Sequence, residues 1–130
     1  MALSKAVWLD CDVILDWLSN RQPWQNSITE LIRRSVKGDW CLWVSPLTLA
    51  NVYYLFRKQA GSVKALEAIK NLSQLASVAS MDAAQVTQAI ASGHSDFEDA
   101  LQIACASGVP SLSAIITRDL PDYAHSPPLR

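Results

Sequence analysis

Eight of the twelve acidic residues fall into two groups. Asp10, Asp12 and Asp16 follow the apolar run AVWL, while Asp96, Glu98, Asp99, Asp119 and Asp122 gather towards the other end of the chain. A fold that brings the two groups together creates a pocket of dense negative charge. Crowded carboxylates repel one another, and either protonation or a hard divalent cation relieves that repulsion. Metal-assisted chemistry on phosphate esters is the most economical use of such a pocket. Other chemistries are less well supplied. His94 and His125 lack partners at metal-ligand spacing and are expected in solvated turns. Ser45 has no histidine near it in sequence, so it reads as a helix cap rather than a nucleophile.

The carrier of these groups is expected to be a single domain over residues 1–130, half of it apolar and with five tryptophans, enough to form a packed core. The formal net charge of −1 means that a polyanion would be met only by local basic groups. Arg33-Arg34-Lys37 and Arg57-Lys58 are the candidates, and otherwise read as solvated helix faces. Cys11, Cys41 and Cys105 match no zinc spacing and read as reduced, mostly buried thiols of a cytoplasmic protein. The N-terminal segment has no signal-peptide apolar region, and no run approaches the roughly 18 apolar residues of a spanning helix.

Hydrophobic runs and capping residues place the elements. Strands are expected at 6–9, 40–44, 76–79 and 114–117. Asp12 is expected to cap a short helix after the first strand, leaving Asp10 without a capping role, and Asp16 either faces solvent or supports the first acidic group. Helices follow at about 25–37, 46–59 with Ser45 and Pro46 at its start, 62–75, 83–91 behind Asp82, and 96–107 behind Asp96. Glu98 reads as a charge that favours its helix dipole. The alternation of single strands with helix pairs predicts an α/β fold, a three-layer α/β/α sandwich around a short four- to five-stranded parallel sheet. Functional groups then collect at the carboxyl ends of the strands, where Asp10, Ser45 and Thr117 to Asp119 stand.

The segments LDCDVILD, SPLTLANVYYLFRK, DFEDALQIACA and IITRDLPDY, in this order, resemble the PIN domain, and among PIN domains the VapC-like toxin ribonucleases. The resemblance implies cleavage of single-stranded RNA by metal-activated water, with Mg2+ or Mn2+ as cofactor. Carried over by position, it makes Asp10, Asp99 and Asp119 catalytic metal ligands, with Asp122 as a secondary acid. Thr117, Arg118 and Ser45 are expected to face the substrate, Thr117 also orienting the acidic cluster. The resemblance further implies an antitoxin partner and a homodimer, and Tyr53, Tyr54 and Phe56, with Leu47 and Leu55 on the same helix, are too many for one core stripe, so that some must face outward.

The chain departs from the pattern at one position. The frame S-x-x-T-x-x-E reads Ser45, Thr48, Asn51 here, so an amide stands where a carboxylate is expected. Its oxygen can ligate magnesium, more weakly than a carboxylate, but it cannot serve as a base. The alternative is therefore a weakened or inactive PIN-fold module for protein or RNA binding. A phosphatase of the haloacid-dehalogenase type, suggested by Asp10-x-Asp12, lacks the lysine that family requires. The Pro-rich end, Ser126 to Arg130, suggests a missing or vestigial final strand.

Overall fold

The computed structural model describes residues 5–22 and 24–117. Four strands and six helices alternate within them: β1 (Lys5–Leu9), α1 (Cys11–Leu18), α2 (Trp24–Val36), β2 (Trp40–Val44), α3 (Pro46–Ala60), α4 (Ser62–Leu75), β3 (Ala76–Val78), α5 (Ala83–Ala91), α6 (Phe97–Ser107) and β4 (Leu112–Ile116). This is the predicted order of elements. The sheet is wholly parallel, with strand order β3-β2-β1-β4.

The layering follows from period-two alternation along the strands. Val7 and Leu9 of β1, with Leu42 and Val44 of β2, face one side and pack against Val13, Ile14, Ile28, Leu31, Val52 and Leu72 from α1 to α4. Ala6 and Trp8 face the other side and pack against Cys105, Ala106 and Val109 at the end of α6. Both faces of β1 are thus covered, which explains its unbroken apolar run.

Local signals account for most boundaries. Ser45 caps α3 by accepting from the Thr48 amide at 2.9 Å, and Pro46 takes the first helical position. Asp82 and Gln85 form a capping box at the start of α5. Gly61, with φ of 88°, separates α3 from α4 in a conformation that side chains disfavour. Two local expectations are corrected. Asp10, not Asp12, is the cap of α1: its backbone is extended and its side chain accepts from the Cys11 amide. Asp12 is an exposed charge in the first turn, where it favours the helix dipole. The last strand starts at Leu112 rather than at 114, because the ladder to β1 skips Ser113 and hides the strand in an irregular register.

Chain order and strand order together single out one place. From β1 the chain winds through β2 to β3, then returns to the opposite side of β1 to lay down β4. The carboxyl ends of β1 and β4 therefore flank the switch point, where open α/β sheets leave a crevice for ligands.

Candidate metal centre

Asp10 leaves β1 and Thr117 leaves β4 at that switch point. The Asp10 amide donates to the Ile116 carbonyl at 3.1 Å, which continues the ladder by one step beyond the strands. The Thr117 hydroxyl donates to Asp10 Oδ2 at 2.7 Å, and the Cys11 amide donates to Oδ1 at 2.8 Å. Both carboxylate oxygens are thereby oriented while the residue stays half-buried. Thr117 thus turns its hydroxyl towards Asp10.

A second acidic group enters from α6. Asp96 caps this helix by accepting from the Asp99 amide at 3.0 Å, as expected for it. Burial first, then the charge of Asp96, raises the Asp99 carboxyl above its ordinary range, with smaller contributions from Glu98 and Asp10 and an opposing one from His94. The thiol of Cys11 is pushed up to about 12, mainly by burial, then by the charges of Asp12, Asp10 and Glu98. The two ends of the sequence therefore share one region of negative potential. His94 belongs to its rim rather than to a free turn: its ring Nδ1 accepts from the Asp96 amide at 3.2 Å.

The spacing between α3 and α6 is set by side chains. Ser45 and Thr48 are fully buried and Gln102 nearly so. Ser45 donates to Gln102 Oε1 at 2.7 Å, and Gln102 Nε2 donates to Thr48 Oγ1 at 2.8 Å. The two hydroxyls close the ring at 3.1 Å, and since the single Ser45 proton serves Gln102, Thr48 is the donor there. Ser45 is thus withdrawn from any ligand, against the expectation that it faces substrate; burial commits its hydroxyl to the ring. One turn further along α3 and one turn nearer the start of α6, Asn51 Nδ2 donates to Glu98 Oε1 at 2.8 Å.

Sequence reasoning missed Gln102 and undervalued Glu98. A glutamine inside the apolar stretch DALQIACA, four residues after Glu98 and three after Asp99, was the available signal, since it shares a helix face with both. Asp16 is neither solvated nor part of the cluster's exposed edge. It is a completely buried residue of α1, with Arg21 Nη1 at 3.5 Å from Oδ1.

A family model described as "PIN domain" matches residues 6–121. The chain belongs to the PIN-domain family. No curated protein matches it. PIN domains have a nuclease fold and generally use divalent metal ions, and the oxygen donors at this switch point suit such an ion. Asp10 and Asp99 carry hard carboxylate oxygens of the kind such ions prefer, and burial first, then the charge of Asp96, makes the ionised Asp99 costly in a way that a dication would relieve. Among the described residues, no three Asp, Glu, His or Cys side chains converge closely enough to hold an ion alone. Arg118, Asp119 and Asp122 lie outside the described residues. No helix of the described PIN domain is long and apolar enough to cross a membrane.

Proposed function

We propose that this PIN domain is a metal-dependent endoribonuclease of the VapC toxin type, acting on single-stranded RNA in the cytoplasm. The observation that carries this reading is Asp10, held by Thr117 at the switch point within the same negative field as Asp99. Asp10, Asp99 and Asp119 would hold Mg2+ or Mn2+, with Asp122 and Asn51 adding weaker contacts. The ion, when bound, lowers the pKa of a water and offsets charge developing on the scissile phosphate. The protein's own part is to fix the donors. Thr117 and the Cys11 amide hold the Asp10 oxygens, the Asp96 cap orients the first turn of α6, and the Ser45–Thr48–Gln102 ring keeps α3 and α6 in register. Arg118 follows Thr117 directly and is the first choice for gripping the substrate backbone.

The exposed side chains of Tyr54, Leu55, Val63 and Leu66 on α3 and α4 fit a surface for an antitoxin protein or a second copy of the chain. The test of the function is cleavage of single-stranded RNA in Mn2+, abolished by EDTA and by Asp10→Asn. Cleavage that survives both would refute it. A non-catalytic PIN module is the second reading, favoured by the Asn51 amide, which is already bonded to Glu98. A folded chain that binds no Mn2+ would establish that reading instead.

A further inference from the structure

We infer that Tyr54, with Arg57 and Lys58, forms a subsite for single-stranded RNA on α3, in which Tyr54 stacks an unpaired base and the two cations take neighbouring phosphates. The inference rests on the RNA-binding part of the reading above and extends it from the metal centre to the surface beside it. Among the side chains the structure describes, two aromatic ones are more than half exposed, Tyr54 at 57% and Phe97 at 52%. Charge separates them. Phe97 stands between Asp96 and Glu98 in the sequence, a setting that repels phosphate. Tyr54 has the Arg57 guanidinium 4.8 Å and the Lys58 ammonium 5.7 Å from its ring centre, and the same guanidinium lies 6.0 Å from the ring of Tyr53.

Both cations keep their charge available. Glu30 neutralises Arg33 and Arg34, whereas Arg57 and Lys58 form no ion pair among the described residues. An exposed ring beneath two unneutralised cations complements a polyanion that also carries flat bases. A base can stack on the ring or on the guanidinium over it, while the positive charges meet the backbone. Apolar contact with a protein partner, the role open to Leu55, Val63 and Leu66, needs no cation paired with the ring. Helical spacing links the subsite to the metal centre. Tyr54 and Lys58 lie three and seven residues after Asn51 on one face of α3, and Asn51 donates to Glu98, the neighbour of Asp99. At about 1.5 Å of rise per residue, the stripe from Asn51 to Lys58 covers on the order of 10 Å. A strand whose scissile phosphate sits at the switch point can follow that stripe.

The experiment measures binding of a fluorescently labelled oligoadenylate by anisotropy over a series of salt concentrations, in EDTA so that no strand is cut. Tyr54→Leu keeps an apolar side chain but loses the flat ring, Tyr54→Phe keeps the ring, and Arg57→Ala and Lys58→Ala each remove one charge. Residues 54, 57 and 58 are exposed, so the core is untouched, and circular dichroism checks that each variant is folded. Tyr54→Leu is expected to weaken binding about fivefold or more with its salt dependence unchanged, and Tyr54→Phe to bind within about twofold of the unaltered chain. Arg57→Ala and Lys58→Ala are each expected to lower the salt slope by about one phosphate contact. Unchanged affinity in Tyr54→Leu overturns the inference, and RNA cleavage by that variant in Mn2+ leaves the nuclease reading standing. If Tyr54→Leu keeps its RNA affinity but turns a dimer into a monomer in sedimentation, the ring belongs to a protein interface and the inference falls. Binding that depends on the ring, without cleavage in Mn2+, sustains the subsite and overturns the nuclease reading. An unaltered chain that binds no oligoadenylate, with or without Mn2+, overturns both.

Discussion

The two rungs between α3 and α6 are made of similar residue types and behave in opposite ways. The inner one, Ser45, Thr48 and Gln102, is buried, neutral and closed, with each hydrogen bond answered inside the ring. The outer one, Asn51 and Glu98, is accessible and charged, and it stands beside Asp99, whose carboxyl is raised by burial and like charge. A satisfied polar group in the interior stabilises and specifies a structure. A carboxyl raised by burial and like charge costs stability once it ionises, and groups of that kind are concentrated at functional sites. The same contrast separates the two aspartates of the first segment: Asp16 is buried beside Arg21, while Asp10 is oriented but accessible.

The contrast can be broken from either side. The largest effect is expected at the mouth. Asp10→Asn keeps a competent helix cap yet removes the central charge, and should lower RNA cleavage by at least about a hundredfold in a Mn2+ assay. At the inner rung, Gln102→Leu conserves bulk but strands the two hydroxyls, and should lower stability by about 1–3 kcal/mol in urea unfolding.

The third effect is a pH dependence. The folded state holds the Asp99 proton more tightly than the unfolded chain, because burial and Asp96 raise its carboxyl. Metal-free protein therefore loses stability as pH rises from the ordinary carboxylate range through the higher folded value. Asp99→Asn should be the more stable protein in EDTA at about pH 7, with no such gain at about pH 3, below the ordinary aspartate value. Equal unfolding midpoints at both pH values would mean that the mouth is not strained.

The smallest expected effect compares two basic patches. Arg33 and Arg34 share Glu30, which hydrogen bonding to Arg33 holds down to about 2, whereas Arg57 and Lys58 lie over the ring of Tyr54 with no carboxylate in ion-pair range among the described residues. Arg57→Ala should reduce the salt dependence of RNA binding by about one phosphate contact, and Arg33→Ala by less.

Much of this was legible from the sequence, for physical reasons. Period, caps and glycines are local signals, so the elements and the helix starts at Ser45, Asp82 and Asp96 could be read directly. The position of β4 beside β1 is not local, and only that pairing brings Thr117 to Asp10. Capping at α1 was misjudged because Asp10 and Asp12 offer the same side chain two residues apart, and packing of β1 chooses between them. Gln102 carries no local signal of its role, because its partners lie more than fifty residues away, at Ser45 and Thr48. Asp16 was ambiguous because nothing local tells a buried carboxylate from a solvated one.

The central claim is that acids from the two ends of the chain share one ion at the β1–β4 switch point. A crystal structure grown with Mn2+ and measured for anomalous scattering tests it most directly. The account predicts an anomalous peak within coordination distance of both Asp10 and Asp99. A fully occupied Mn2+ elsewhere, or carboxylates that leave this crevice empty at millimolar metal, would contradict it.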